Sequence, residues 1–189
     1  MHQITEDIVF EGENYTEIPL TPGRYESCTF RNCLFTNSSL SQIQFVDCIF
    51  SSCDLSNVKV FDTAFKKVRF SGSKLTGIQF NRVHEFMLAV EFDQCNLQLC
   101  SFTGMNLKKT NFSKCLLREA DFRQTDLTES VFDECNLLQA LFDNTNLHKA
   151  DLRTSFNFSI DPAQNRIQKA KFSKEGALGL LDQLDIIID

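Results

Sequence analysis

Tryptophan is absent and tyrosine occurs only twice, yet phenylalanine occurs 19 times in 189 residues. A chain that draws nearly all its aromatic residues from one type uses that ring as a repeated packing unit. No stretch approaches the 18 or more apolar residues of a membrane-crossing helix. Met1–Phe10 lacks a basic start followed by an apolar run and carries Glu6 and Asp7 instead, so no secretory leader is expected and a cytoplasmic location is. No P-loop, GxSxG, HExxH or GxGxxG pattern occurs. The three histidines, His2, His84 and His148, lie far apart. No catalytic set, metal or cofactor is therefore expected, and the chain is read as a non-enzyme. The net charge of −6 is mildly acidic, which argues against a direct nucleic-acid partner.

What is present is a period of five. Tyr25, Phe30, Phe35, Leu40, Phe45, Phe50, Leu55, Val60, Phe65, Phe70, Leu75 and Phe80 form an unbroken series. The count resumes two places out of step with Phe92, Leu97, Phe102, Leu107, Phe112, Leu117, Phe122, Leu127, Phe132, Leu137, Phe142, Leu147 and Leu152. This fits neither a helix nor a strand, and a fixed repeat of this kind reads as a stacked solenoid.

The eight cysteines fall into the same frame. Cys28, Cys33, Cys48, Cys53, Cys95, Cys100, Cys115 and Cys135 each precede a periodic residue by two places. Ser38, Thr63, Ser73, Thr110, Ala120, Thr125, Ser130, Ala140, Thr145 and Ala150 fill the same slot elsewhere. A slot shared by Cys, Ala, Ser and Thr selects small size, so these thiols read as core filler. There is no CxxC spacing to support a zinc site.

Units such as Ala120-Asp121-Phe122-Arg123-Gln124 and Ala140-Leu141-Phe142-Asp143-Asn144 resemble the pentapeptide repeat family, with its A(D/N)LXX unit, over residues 23–155. The resemblance implies an all-β solenoid: a right-handed parallel β-helix of quadrilateral section, four pentapeptides per coil, with the central and small residues inward. In such a coil, residues twenty apart stack. Phe92, Phe112 and Phe132 then form one column, Phe102, Phe122 and Phe142 a second, Leu97, Leu117 and Leu137 a third, and Leu107, Leu127 and Leu147 a fourth. If two residues bulge out within Asn81–Leu88, the Phe30, Phe50, Phe70 column runs directly into Phe92.

Residues 1–22 keep a weak echo of the period at Phe10, Tyr15 and Leu20 and are expected to form a degenerate N-terminal coil that caps the end. Residues 156–189 are expected to cap the other end. Ser173 and Glu175 signal a helix start, with Ala177, Leu178, Leu181 and Leu184 on one α-helical face and Ile186–Ile188 as a short terminal strand. The resemblance implies a homodimer through that C-terminal helix.

The outward positions supply three candidate surfaces. Glu91, Asp93, Asp133 and Glu134 lie on the side of the Phe92 column, with Arg31, Arg69, Lys114 and Arg153 among them. Lys66, Lys67, Lys108, Lys109 and Lys149 mark a basic edge suited to an anion. Leu99, Leu116 and Leu138 take outward slots near one another and read as a contact patch. The length, repeat, acidic balance and tail also resemble the quinolone-resistance (Qnr-type) members. That resemblance implies an interaction scaffold that mimics DNA and acts on DNA gyrase, a type II topoisomerase. The alternative reading is an anion-binding or assembly module using the lysine edge or the leucine patch.

Overall fold

The computed structural model describes residues 4–84, 88–184 and 186–187, with only the backbone of Gln183. Short strands separated by corners wind into a parallel β-solenoid of about six turns. The strands are β1 (Ile4–Glu6), β2 (Val9–Glu11), β3 (Arg24–Glu26), β4 (Thr29–Arg31), β5 (Gln44–Val46), β6 (Ile49–Ser51), β7 (Ala64–Ser71), β8 (Ala89–Asp93), β9 (Asn111–Ser113) and β10 (Val131–Asp133). They form one sheet in two rows, β1-β3-β5-β7 and β2-β4-β6-β7-β8-β9-β10, joined by the long strand β7. Every pairing is parallel, so each residue lies beside its counterpart one coil away. Phe10 pairs with Phe30, Phe30 with Phe50, and Phe50 with Phe70, each twenty residues on.

A parallel ladder spaces like residues by about 4.8 Å, close to the thickness of stacked rings. Phe10, Phe30, Phe50, Phe70, Phe92, Phe112 and Phe132 stack with centroids 4.7–5.5 Å apart and planes within 19°. Phe80, Phe102, Phe122 and Phe142 form a second column at 5.0–5.4 Å. Tyr25, Phe45 and Phe65 form a third at 5.6 Å. Neighbouring columns meet edge to face, as Phe112 meets Phe122 at 86°. Leu97, Leu117 and Leu137 lie fully buried in the remaining space, with Leu107, Leu127 and Leu147 opposite.

The register steps once. His84 N–H donates to Thr63 O at the spacing used elsewhere, but Val68 pairs with Val90 and Phe70 with Phe92, twenty-two residues on. Two extra residues therefore enter between His84 and Val90. The bulge expected within 81–88 falls partly on residues 85–87, which lie outside the described residues. The first coil keeps the register through β1, β2 and the Asn14–Leu34 bridge.

Most corners turn at the second residue after the central one, which takes left-handed backbone angles; Arg82 and Thr154 do not. Asn32 (φ 53°), Gln124 (φ 60°) and Lys149 (φ 58°) show it, and Gly72, Gly77 and Gly104 hold the same place. In this region a branched Cβ clashes with the backbone. Among the described residues no Val, Ile or Thr adopts it. The corner N–H donates across the coils, as Glu119 does to Leu138 O at 2.9 Å. One place earlier than the central residue, Asn or Asp often caps the turn. Asp54, Asp121, Asp126 and Asn136 each accept the N–H two residues on at 3.0–3.2 Å. That is the physical content of the D/N position in the repeat unit.

The expected C-terminal α-helix is replaced by two short 3-10 turns, Gly176–Leu180 and Asp182–Leu184. Ser173 Oγ does accept the Gly176 N–H at 2.8 Å, so the start signal is used. The helix fails to propagate because of a tertiary contact. Ile160 N–H takes the Gly179 carbonyl at 2.9 Å, and the bonds from Leu178, Leu181 and Leu184 reach back only three residues. Gly179 packs so closely on Phe158 that any side-chain carbon there would strike the Phe158 carbonyl oxygen. Leu180, which is not on the expected face, packs against the core, while Leu178 and Leu184 are exposed and Ala177 and Leu181 half-buried. The expected terminal strand is absent at Ile186 and Ile187, and Ile188 lies outside the described residues.

Among the described residues Leu99 is the one apolar side chain at a left-handed corner, at φ 59° and 54% exposed. Asn tolerates this geometry better, and little burial is lost with the leucine side chain. We expect Leu99→Asn to raise stability by about 0.5–1 kcal/mol, read as a higher denaturant midpoint at unchanged slope. A lower midpoint would show that Leu99 makes contacts that outweigh its backbone strain.

Candidate interaction surfaces

Because the inward positions are filled by rings, leucines and small residues, chemistry is left to the outward ones. The residues flanking each central residue along the chain point outward, so charge patterns follow the rows. On the side of the Phe92 column, Glu91 continues through Asn111, Val131 and Asp151, and Asp93 through Ser113 and Asp133. The carboxylates are not a bare stripe. Arg69 Nη2 lies 3.4 Å from Asp93 Oδ2. Arg153 grips both oxygens of Asp151 at 2.8–2.9 Å, and this holds the Asp151 carboxyl below its ordinary pKa. Thr154 Oγ1 donates to Asp133 Oδ1 at 2.9 Å and accepts the Glu134 N–H at 3.0 Å. The structure thus brings Asp93, Asp133 and Glu134 to one side with Glu91, but threads cations and a hydroxyl among them.

The leucine patch is less continuous than its sequence spacing implies. Leu116 is half-buried and has Asn96 and Asn136 as ladder neighbours. Leu138 is 39% exposed in a different row, and Leu99 stands at a corner. Polar side chains therefore separate the three. Phe156, 48% exposed and next to Asn136 in the ladder, is an apolar outward residue that the five-residue count does not single out.

The basic edge divides. Lys149 Nζ is held 2.9 Å from Glu129, and neither it nor Lys66 lines the cleft of about 340 Å³ that Lys67, Lys108 and Lys109 flank. Arg69 joins them there, a residue that sequence spacing assigned to the acidic side. The cleft lies where the register steps from Lys66–Ala89 to Val68–Val90. Its position depends on where the extra residues enter, which a count of the repeat does not reveal.

A model of the pentapeptide repeat region matches residues 24–84 and 86–152. The chain belongs to the pentapeptide repeat family. A trypsin-treated variant of QnrB1, a plasmid-mediated fluoroquinolone resistance protein, superposes with a TM-score of 0.65 at 19% identity, covering 99% of this chain and 100% of that one. Full-length QnrB1 gives 0.42 at 21% identity, covering 97% of this chain and 100% of that one. HetL, a pentapeptide repeat protein involved in heterocyst differentiation regulation in Nostoc sp. strain PCC 7120, gives 0.39 at 14% identity, with 93% and 91% covered. A search of curated proteins finds no match to the sequence. Among the described residues no helix is long and apolar enough to cross a membrane.

Within this repeat chain many of the small-slot residues that carry a donor also use it. Cys48, Cys53, Cys115 and Cys135 direct their Sγ to the carbonyl 23 residues back, at 3.3–3.6 Å. Thr63, Thr125, Thr145 and Ser155 make the same bond through their hydroxyls at 2.7–2.8 Å. Cys, Ser and Thr therefore interchange as small donors that reach the preceding coil. Burial pushes the thiol of Cys48 up to about 11 and those of Cys53 and Cys100 to about 12. Cys115 is raised to about 12 chiefly by its contact with Cys135. A thiol that stays protonated and buried is a poor nucleophile. With an aromatic disulfide reagent at pH 8, we expect none of the eight thiols to react in the native protein and all eight to react in denaturant. Rapid native labelling of even one would overturn the filler assignment for that position.

Proposed function

We propose that the chain is a non-enzymatic protein-interaction scaffold that acts on a type II topoisomerase, DNA gyrase. The observation that carries this reading is the end-to-end likeness to the trypsin-treated QnrB1 variant, with both chains covered almost completely. The filled interior supports it, since the stacked columns leave the outside as the working part. In this reading the coil is right-handed and square in section. It is also dimeric, joined through the exposed leucines of the C-terminal turns, Leu178 and Leu184.

A mimic of duplex DNA needs closely spaced negative charge, about one per 1.7 Å of axis. The acidic side with Glu91, Asp93, Asp133 and Glu134 meets this only in part, because Arg69 and Arg153 sit within it. The contact with gyrase therefore rests on the straight, narrow shape of the rod as much as on charge.

The test of the topoisomerase reading is DNA supercoiling by purified gyrase, with and without a quinolone. We expect the protein to restore supercoiling in the presence of the drug or to inhibit it in its absence. No effect at tens of micromolar in low salt ends the reading for that enzyme. Sedimentation velocity tests the dimer separately: the native chain is expected to sediment as a dimer, and Leu178→Asp with Leu184→Asp as a monomer. A monomeric native chain would remove dimerisation from the proposal.

A further inference from the structure

The cleft beside β7 and β8 has a construction of its own. Its floor is apolar: Val68 and Val90 are buried beneath it and Leu88 is half-buried at its side. Two cations stand on each flank, Lys67 and Arg69 from one coil and Lys108 and Lys109 from another. One carboxylate, Glu91, lines the cleft with them, beside Arg69 in the ladder. Each cation has an acidic neighbour, but those neighbours lie outside the cleft. Lys67 is 3.6 Å from Asp47, Arg69 3.4 Å from Asp93, Lys108 3.2 Å from Asp126 and Lys109 3.8 Å from Glu129. The cationic side chains are themselves at least half exposed in these pairs, and such surface pairs contribute little, so the cations can turn inward.

We propose that this cleft binds a small organic phosphate. Four cations against one carboxylate exceed what a single carboxylate ligand neutralises, and they match a dianion. A phosphate offers several oxygens to lysine ammonium groups, which bind it as point charges, and to a guanidinium fork. The apolar floor accommodates the carbon body of the ligand. Glu91 accepts a hydrogen bond from a hydroxyl or amine on that body, which a bare inorganic ion lacks. A volume of about 340 Å³ is at the small end for ligand pockets, so a phosphomonoester of a few carbons fits better than a large cofactor. The site shares Arg69 and Glu91 with the acidic side but uses no residue of the C-terminal turns, and its test reads phosphate binding and not supercoiling, so the two readings fail separately.

The test is an amide chemical-shift titration of the full chain at fixed ionic strength. The probes are glycerol phosphate, inorganic phosphate and malonate. Glycerol phosphate is expected to shift the amides of Lys67–Arg69, Ala89–Glu91 and Lys109–Asn111 saturably, and to bind more tightly than inorganic phosphate. Replacing Lys67 and Lys109 together by Ala is expected to weaken binding at least about tenfold. Lys149→Ala, on the same edge outside the cleft, is expected to leave it unchanged. All these side chains are exposed, and circular dichroism checks that the variants fold. Shifts that fail to saturate, or that are as large around Lys149, would overturn the site. Malonate binding as tightly as glycerol phosphate would overturn the phosphate assignment. A folded double variant that binds like the native chain would overturn the role of the cations.

Discussion

A backbone N–H in one coil meets a carbonyl in the next, and this parallel ladder sets where every side chain stands. Its spacing, near 4.8 Å, is fixed by hydrogen-bond geometry and not by the side chains. Whatever occupies an inward position must therefore tolerate a copy of itself above and below. A flat ring does so, and the seven stacked rings from Phe10 to Phe132 are the result. The edge-to-face contacts between neighbouring columns then fix the width of the coil. The small slot follows from the same constraint. Beside a column of rings the slot takes mostly short side chains, with Ile43, Val68, Ile78 and Met105 among the larger buried ones, and one with a donor can reach the preceding coil's carbonyl, as Thr125 and Cys135 do.

The corners impose the opposite kind of selection. There the backbone is left-handed, the side chain points to solvent, and the requirement is an unbranched Cβ or none. Asn, Asp, Gln, Glu, Lys and Gly all satisfy it, so chemical identity at a corner is open while shape is restricted. Charge can therefore vary along the rod without disturbing the fold. The ion pairs between coils, such as Lys149 with Glu129, are consequences of what the corners hold and not conditions for folding.

This division explains what the sequence made legible. The Phe columns, their continuation from Phe70 to Phe92 and the burial of all eight cysteines follow from the repeat count, because each is dictated by the interior. The corner conformation was written there too, in the near absence of Val, Ile and Thr two places after the central residues, Thr154 being the exception and not left-handed, but an exclusion is harder to see than a match. The C-terminal turns were not legible. Ala177, Leu178, Leu181 and Leu184 have helical spacing, and the deciding fact is a tertiary bond from Ile160 to the Gly179 carbonyl. The surfaces were legible only in part: Arg69 counts with the acidic side by sequence, yet it lines the basic cleft as well.

The step of two residues between His84 and Val90 leaves Phe70 on Phe92 and Phe80 on Phe102, at 5.5 and 5.0 Å. These two columns pass this point unbroken, while the exterior gains a concavity. In evolutionary terms, such a corner lets length change without a compensating change elsewhere. New surface can be acquired there one insertion at a time, and the rod still folds by the same internal code.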